Sequence, residues 1–290
     1  MPSYLLTGAG GQLGQCFQAV ATQFPQHQLI SATREEVNLN RPETLEKIHA
    51  ATPFEGILNC AAYTQVDKAE TEKDKATAIN EEGVANLIDF AKPRQLKIIH
   101  FSTDFVFDGY QKSPYKETAP PHPLNSYGQS KLKGEQLLIQ AKIPSVIIRT
   151  SWLFSPYGNN FVKSILFKIK RGEELKVISD QFGKPTSGLD LAQAVLSILD
   201  HPALFEAPIY HIAQGPPTSW FGFAQQIVKL SGSKATLRNI LSEERPNAAR
   251  RPHYSVLHTQ LIQNNLSLSL RNWEYALTDC LKLIQANEGL

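Results

Sequence analysis

A glycine-rich turn near the amino terminus constrains the fold of this chain more than any other segment. The apolar run Tyr4-Leu5-Leu6 leads into Thr7-Gly8-Ala9-Gly10-Gly11-Gln12-Leu13-Gly14, and a helical pattern follows. Glycines at positions 8, 11 and 14 let the backbone turn tightly, approach a pyrophosphate closely and pack the helix onto a sheet. The order of strand, turn and helix predicts a dinucleotide-binding unit. A plain turn is the alternative, because the third glycine of the usual fingerprint would fall on Leu13.

Strand and helix patterns alternate after this turn, which favours an α/β fold with a Rossmann-type, doubly wound parallel sheet. In the first half, the predicted strands are 28–32, 56–60, 97–101 and 145–148, and the predicted helices are 42–51, 71–91 and 126–141. In the second half, the predicted helices are 161–170, 189–199, 221–230 and 272–286, with short strands at 175–178 and 209–212. We predict an NAD(P)-binding Rossmann domain over residues 1–155. Residues 156–290 would form a smaller, mainly substrate-binding portion, with some elements returning to the sheet.

Two motifs after the predicted strand 97–101 indicate proton chemistry. Ser102-Thr103-Asp104 follows the strand directly, and Tyr127 and Lys131 lie four positions apart on a predicted helix. This spacing places both side chains on one helix face. A free phenol titrates near ~10, and a neighbouring cation lowers that pKa towards neutrality. We therefore predict that Tyr127 is a proton-donating acid activated by Lys131, and that Thr103 holds a carbonyl group. An ordinary helix surface also produces Tyr-x-x-x-Lys, so this pair is informative only in its context.

Charge and residue usage exclude several functional classes. The formal net charge of +2 predicts neither a nucleic-acid footprint nor a membrane patch. The sequence begins directly with a strand pattern, without a targeting segment, so we expect a cytoplasmic protein. Cys16, Cys60 and Cys280 are scattered and odd in number, which favours core residues over disulfides. The histidines lack ligand spacing, so we predict no metal site, and we interpret His100 as a structural residue.

Further motifs occur in the order typical of one enzyme family. They are Asn59-Cys60-Ala61-Ala62-Tyr63-Thr64, Thr64-Gln65-Val66-Asp67-Lys68-Ala69-Glu70, Ser102-Thr103-Asp104-Phe105-Val106-Phe107-Asp108-Gly109, Arg149-Thr150-Ser151-Trp152-Leu153-Phe154, Gly158-Asn159-Asn160-Phe161, Asp180-Gln181-Phe182-Gly183-Lys184-Pro185-Thr186, and Arg250-Arg251-Pro252 with Ser255. With the glycine turn and the Tyr127/Lys131 pair, they make the chain resemble the extended short-chain dehydrogenase/reductases. Within that group, it is similar to the dTDP-4-dehydrorhamnose reductase family over essentially its whole length.

The resemblance implies reduction of the 4-keto group of dTDP-4-dehydro-L-rhamnose, the last step of dTDP-L-rhamnose synthesis. Tyr127 would protonate the developing alkoxide, Lys131 would hold the ribose hydroxyls, and Thr103 would bind the carbonyl oxygen. Asp104 and Trp152 would contact the sugar nucleotide. The implied cofactor contacts, besides Gly8 of the turn and the Tyr127/Lys131 pair, are Gly11, Gln12 and Leu13 at the pyrophosphate, Asn38 and Leu39 at the adenine, and Ala62, Tyr63, Thr64 and Phe101 at the ribose and nicotinamide.

The chain departs from the family pattern at three places. Thr33 and Arg34 stand where many members have an acidic residue after the second strand. A hydroxyl and a guanidinium bind a 2′-phosphate, so we predict a preference for NADPH over NADH, although Glu35 or Glu36 would reverse it on reaching the ribose. Phe105 stands where the family usually has tyrosine. Gln15-Cys16 follows the turn where some members have a metal-binding glutamate at a dimer interface, so monomer and homodimer both stay open.

Two other functional classes share these features. Sugar-nucleotide dehydratases and epimerases have the same fold and Tyr/Lys pair, but dehydratases resemble Thr-Asp-Glu at the catalytic strand end, where this chain has Phe105 in place of the glutamate. The regulatory subunit of methionine adenosyltransferase resembles these reductases and binds NADP without a reaction of its own. The sequence favours the reductase, and Phe105 argues against elimination while epimerisation stays open.

Overall fold

A parallel sheet of six strands forms the centre of the protein in the computed structural model, which describes residues 1–206, 209–246, 248–267 and 269–287. Five of the strands come from the first half of the chain: β1 Ser3–Thr7, β2 Gln28–Ala32, β3 Gly56–Asn59, β4 Lys97–Thr103 and β5 Ser145–Thr150. The sixth strand, Ile209–His211, pairs with β5 in parallel. From that strand, the spatial order runs through β5, β4, β3 and β1 to β2. The predicted α/β fold with a Rossmann-type sheet is confirmed.

Helices cover both faces of this sheet, and others form a separate cluster in the second half of the chain. Their bounds are α1 Gln12–Val20, α2 Pro42–Ala51, α3 Lys73–Thr77, α4 Gly83–Ala91, α5 Ser126–Ala141, α6 Phe161–Lys170, α7 Gly188–Ile198, α8 Trp220–Leu230, α9 Gln260–Leu266 and α10 Trp273–Asn287. Short 3₁₀ segments lie at Ala21–Gln23, Lys68–Glu70, Lys92–Arg94, Asp104–Val106, Pro202–Glu206 and Ser242–Glu244. Within the described ranges, no helix is both long and apolar enough to cross a membrane.

Alternating side chains of the strands build a core on each face of the sheet. Leu6 packs with Phe17 of α1 and Val195 of α7 on one face. Its neighbour Leu5 packs with Leu87 of α4 on the other face. Because both faces are covered, the central strands contain consecutive apolar residues, namely Leu5-Leu6, Ile57-Leu58, Ile98-Ile99 and Val146-Ile147-Ile148, as parallel strands usually do. Their carboxyl ends are left to the loops, where open α/β sheets bind ligands.

The predicted helix over 71–91 is confirmed from residue 73 onward, although three successive helical segments make it up. These are α3, a π-helical segment Ala78–Glu82, and α4. Asn80 of the π-helical segment is buried and bonds the backbone of Tyr63 on both sides, N–H to Oδ1 at 2.9 Å and Nδ2 to O at 3.0 Å. Its amide also donates to Ser130 Oγ of α5 at 2.9 Å. The wider turn thus serves an inward-facing polar side chain, which an amphipathic pattern does not reveal.

Beyond residue 150, the elements form short strand pairs and a separate apolar cluster. The short strands are Leu153–Phe154 with Thr186–Ser187, Leu175–Ile178 with Leu237–Ile240, and Phe182–Gly183 with Thr218–Ser219. A cluster around Phe223 and Trp273 joins α6, α8 and α10. Most predicted bounds hold within two residues, but α9 and five of these six short strands were not predicted. A strand of two residues has no hydrophobic period, and Leu237–Ile240 exposes Arg238 and Asn239.

A buried ion pair fixes α5 against β5. Arg149 donates from Nε to Glu135 Oε1 at 2.9 Å and from Nη2 to Oε2 at 2.6 Å. Only 2% of the arginine side chain and 0% of the glutamate side chain are exposed. The guanidinium also lies 5.2 Å from the centre of the Phe107 ring. A bidentate pair in this environment fixes the rotation of α5, and with it the side chains of the helix that face the sheet.

We predict that Glu135→Ala lowers the free energy of unfolding by about 3–5 kcal/mol, because it leaves the Arg149 charge buried without a partner. Glu46→Ala is the control, since Glu46 pairs with Arg94 at 2.6 Å but is 55% exposed. Its loss should cost less than about 1 kcal/mol. Urea denaturation of both variants measures the difference. Equal decreases in the free energy of unfolding of the two variants would contradict a special contribution of the buried pair.

Candidate active site

A cleft of about 740 Å³ opens at the carboxyl ends of β1, β3, β4 and β5. It brings together Thr103, Tyr127 and Lys131, the three residues predicted to carry the chemistry. The other predicted site residues that line it are Gly11, Gln12, Leu13, Ala62, Thr64, Phe101, Asp104 and Trp152. Residues separated by more than a hundred positions therefore face one space, at the sheet edge where the fold predicts a ligand.

A second cavity of about 380 Å³ continues from the glycine turn towards the end of β2. It shares Gly10, Gly11, Cys60 and Ala62 with the first cleft. The predicted cofactor residues that line it are Gly8, Gly11, Thr33, Arg34, Asn38, Leu39 and Ala62. Tyr63 lies in a smaller adjoining cavity, of about 350 Å³, beside Arg34 and Thr64. Every site residue predicted from the sequence thus borders one of three cavities that share lining residues.

The geometry of the glycine turn fits a dinucleotide pyrophosphate. Gly8 has a φ of 64°, and a Cβ atom there would lie 2.8 Å from the backbone nitrogen of Ala61. Gly11 donates its N–H to the Gly8 carbonyl at 2.9 Å, which closes the turn. Helix α1 begins next, and its N-cap position is Gly11, without a side-chain cap. Backbone N–H groups of the first turn therefore remain for an anion.

Tyr127 and Thr103 meet where α5 crosses the end of β4. The hydroxyl of Tyr127 is hydrogen-bonded to the side chain of Thr103. Thr103 Oγ1 also accepts the Phe105 N–H at 3.2 Å and lies 3.1 Å from Asp104 Oδ1. Gly128 permits this approach, because a Cβ atom at that position would overlap the Phe105 carbonyl. The structure thus brings the side chains of Thr103 and Tyr127 together at the end of β4.

Burial controls the protonation of the site residues. It raises the pKa of Tyr127 to about 12, against the lowering effect of the hydrogen bond with Thr103. It raises the pKa of Asp104 to about 7, although Ser255 and Thr103 donate hydrogen bonds that lower it. It lowers the pKa of Lys131 to about 8, against the attraction of Glu135. Tyr127 is therefore a protonated phenol at neutral pH.

This result differs from the expectation that Lys131 lowers the pKa of Tyr127. Lys131 Nζ lies 3.2 Å from His100 Nε2 of β4, so its nearest polar partner lies inside the sheet. Desolvation of the phenol is the largest effect on Tyr127, and Asp104 adds a further increase in pKa. A Tyr-x-x-x-Lys spacing gives the helix face of two side chains, but it does not give their degree of burial.

A buried polar chain behind Lys131 was missed by the sequence interpretation. Thr7 Oγ1 donates to Asn59 Oδ1 at 2.7 Å, and Asn59 Nδ2 lies 3.0 Å from His100 Nδ1. His100 in turn contacts Lys131. His100 is buried as expected of a structural histidine, and it also holds the candidate lysine. The only signals in the sequence are Thr7 and Asn59, polar residues at the ends of two apolar strands, and His100 within a third.

Other cleft residues also escaped the sequence analysis. Cys60 is half-buried and lines both cavities, so it is not a plain core residue, whereas Cys16 and Cys280 are buried.

Trp152 has a φ of 47° and stacks on Trp220, with ring centres 3.6 Å apart. A Cβ atom at Gly183 would lie 2.6 Å from the Trp152 ring. The glycine and the second tryptophan thus fix an aromatic wall of the cleft.

In the loop after β2, the carboxylate of Glu36 is hydrogen-bonded to Thr33. Glu36 Oε2 accepts hydrogen bonds from the backbone N–H of Thr33 at 2.7 Å and from its hydroxyl at 2.9 Å. The backbone hydrogen bond lowers the pKa of Glu36. Arg34 is exposed and lines two of the cavities, and Glu35 lines one of them. Of the two glutamates that could oppose NADPH, one is therefore engaged by its own loop.

The described part of the chain holds no group of three or more His, Cys, Asp or Glu side chains placed to bind a metal ion.

We predict that Gly14→Ala destabilises the protein by about 1–3 kcal/mol, because the added methyl group is forced into a packed backbone. Its Cβ atom would overlap the Gly8 carbonyl and lie 2.6 Å from Ala9 Cα. Gly10→Ala is the matched control, since a Cβ atom at that position has no neighbour within 4 Å. Thermal denaturation compares the two. Equal melting temperatures would show that α1 does not depend on this close contact.

Comparison with known proteins gives one consistent match. Residues 3–286 match the family model described as the RmlD substrate binding domain. A dTDP-4-dehydrorhamnose reductase of Aggregatibacter actinomycetemcomitans is 36% identical, with 96% of this chain and 97% of the relative covered. A crystal structure of dTDP-4-dehydrorhamnose reductase from Bacillus anthracis in complex with NADP has a TM-score of 0.92 and 32% identity, covering 97% of this chain and 99% of that one. A dTDP-glucose 4,6-dehydratase from the same organism has a TM-score of 0.83 at 17% identity, which shows a shared fold alone.

Proposed function

The chain belongs to the RmlD substrate-binding-domain family of dTDP-4-dehydrorhamnose reductases, and on that premise we propose that it reduces the 4-keto group of dTDP-4-dehydro-L-rhamnose to give dTDP-L-rhamnose, with NADPH as reductant. The observation that carries this proposal is the meeting of Thr103, Tyr127 and Lys131 in one cleft beside the glycine turn. A hydroxyl, a buried phenol and an amine at that place suit transfer of a hydride and a proton to a carbonyl group.

The three cavities divide into a cofactor part and a sugar-nucleotide part. When bound, NADPH supplies the hydride that reduces the keto carbon. Gly8, Gly11 and the start of α1 would hold the pyrophosphate, and Arg34 would hold the 2′-phosphate, because the Thr33 hydroxyl already donates to Glu36. Asn38, Leu39, Ala62, Tyr63, Thr64 and Phe101 would line the rest of the cofactor, and Asp104 and Trp152 would contact the sugar nucleotide.

The protonation state of Tyr127 determines how a proton reaches the substrate. At neutral pH, Tyr127 keeps its proton, because burial raises its pKa to about 12. It would give that proton to the carbonyl oxygen as negative charge develops there, while Thr103 orients the same oxygen. Lys131 would bind the ribose hydroxyls from its place beside His100. The weakly acidic phenol therefore acts on a strongly basic alkoxide.

Elimination of water is not supported as the reaction. Dehydratases resemble Thr-Asp-Glu at this strand end, whereas Phe105 is the residue after Asp104 in this chain. The Phe105 ring lies edge-on to Tyr127, with ring centres 6.1 Å apart, and it brings no acid to the cleft.

A cytoplasmic location and a monomeric or homodimeric state stay predictions of the sequence.

The direct test combines purified protein, NADPH and dTDP-4-dehydro-L-rhamnose, and follows the absorbance of the reduced nicotinamide together with the sugar product. We expect stoichiometric oxidation of NADPH and formation of dTDP-L-rhamnose. A second arm supplies dTDP-glucose without the keto sugar, and elimination of water from it would support the dehydratase alternative instead.

We predict that Tyr127→Phe lowers kcat by about 10²–10⁴-fold and leaves NADPH affinity close to that of the wild type, because only the transferable proton is removed. Tyr275→Phe is the control, since Tyr275 lies on α10 and is 70% exposed. Steady-state kinetics and cofactor titration by fluorescence measure the two effects. Substantial turnover by Tyr127→Phe would refute the role of the phenol.

We predict that the wild type has a higher kcat/KM with NADPH than with NADH, and that Arg34→Ala lowers this ratio by roughly ten- to a hundredfold, as expected for one lost charge-assisted hydrogen bond. Arg94→Ala serves as the control for the loss of a positive charge, because its guanidinium is engaged by Glu46. Initial rates with both cofactors give the ratio. Equal kcat/KM values for NADPH and NADH in the wild type would show that the loop after β2 does not select the 2′-phosphate.

A further inference from the structure

We propose that Asp104 is the proton reservoir of the site, and that it passes a proton through the Thr103 hydroxyl to Tyr127 after each turnover. This inference rests on the proposed reductase function. It assigns Asp104 a task in the proton chemistry, separate from the contact with the sugar nucleotide that the family resemblance implies.

The geometry forms a continuous hydrogen-bonded path. Tyr127 is hydrogen-bonded to the side chain of Thr103, and Thr103 Oγ1 lies 3.1 Å from Asp104 Oδ1. The other carboxyl oxygen, Oδ2, accepts the hydroxyl of Ser255 at 2.5 Å. Asp104 and Ser255 are each 2% exposed, so these partners are held apart from bulk water. A hydroxyl between two acids can accept one proton while it donates its own.

The order of acidities drives the proton in one direction. An alkoxide formed on the sugar is a stronger base than a phenolate, so it takes the proton of Tyr127. The phenolate of Tyr127, with a pKa of about 12, is in turn a stronger base than the carboxylate of Asp104, with a pKa of about 7. Transfer from Asp104 to Tyr127 is therefore downhill.

The sequence of steps balances in atoms and charge. The reduced nicotinamide gives a hydride, with its electron pair, to the keto carbon, and the Tyr127 proton goes to the oxygen. Thr103 then gives its hydroxyl proton to the phenolate oxygen and receives the carboxyl proton of Asp104. The Asp104 carboxylate takes up a proton from water in the cleft, which restores the starting state.

Other titratable groups face the same cleft and must be distinguished from Asp104. Cys60, which follows β3, and Tyr127 and Lys131 of α5 line it, and Ser255 donates a hydrogen bond to the carboxyl group of Asp104. Burial raises the pKa of Cys60 well above its usual range, whereas Lys131 titrates at about 8. A change at Ser255 acts on Asp104 directly, so it separates the titration of Asp104 from that of Lys131.

The sign of the expected shift follows from the hydrogen bond. The Ser255 hydroxyl donates to the charged form of Asp104 and lowers its pKa. Ser255→Ala removes that donor and raises the pKa. Because the protonated form of Asp104 is the active one, activity is lost as pH rises through this pKa. We therefore expect the alkaline limb of the kcat profile to move upward by about one pH unit in Ser255→Ala.

Ser242→Ala is the matched control, because Ser242 Oγ donates to the carboxylate of Asp180 at 2.8 Å, in a pair whose members do not line the catalytic cleft. Its pH profile should coincide with that of the wild type. An unmoved alkaline limb in Ser255→Ala, or an equal shift in Ser242→Ala, would overturn the proposal.

Asp104→Asn gives an independent readout, since asparagine has a similar size but no proton to release. In rapid mixing with NADPH and the keto sugar, its first turnover should keep the wild-type rate, and later turnovers should be slower by about 10²-fold. A variant that is equally slow in the first turnover would show that Asp104 only binds substrate or supports the fold, and the relay would be wrong. A wild-type protein that never oxidises NADPH with this sugar would instead overturn the proposed function.

Discussion

The position of α5 against the ends of β4 and β5 is the constraint on which the rest of the site depends. Tyr127 and Lys131 reach the cleft only because this helix lies close to the sheet. Two glycines allow the approach, since Gly128 lies against the Phe105 carbonyl and Gly134 against the Asn80 carbonyl. The buried pair of Arg149 and Glu135 then fixes the rotation of the helix. A scaffold contact one helix turn from Lys131 therefore sets the geometry of Tyr127 and Lys131.

Burial connects this scaffold to the chemistry. The same dry environment raises the pKa values of Tyr127 and Asp104 and lowers that of Lys131, so the cleft favours neutral groups near pH 7. A neutral phenol and a partly neutral carboxyl group are proton donors. This arrangement suits a reduction in which the substrate oxygen gains a proton. It also places two proton acceptors in series, the more basic phenolate of Tyr127 and the less basic carboxylate of Asp104.

The sequence predicted the parts of this protein that depend on local patterns. The glycine turn, most helices and the central strands have periodicity or backbone requirements that a sequence reveals, and the predicted site residues all border three cavities that share lining residues, because parallel strands end at one edge. The structure added contacts between distant elements. The chain from Thr7 through Asn59 and His100 to Lys131 joins three strands, and Ser255 meets Asp104 from 151 positions away. Local pattern carries no information on such pairs, and it did not show that burial raises the pKa of Tyr127.

Transfer of a labelled hydride tests the central claim most directly. Purified protein is incubated with NADPH that carries deuterium at the transferable position of nicotinamide C4, together with dTDP-4-dehydro-L-rhamnose, and the product is examined by nuclear magnetic resonance and mass spectrometry. A reductase predicts one deuterium at C4 of the sugar, with the hydroxyl proton drawn from solvent. Oxidised cofactor without label in the sugar, or unchanged cofactor and substrate, would contradict it.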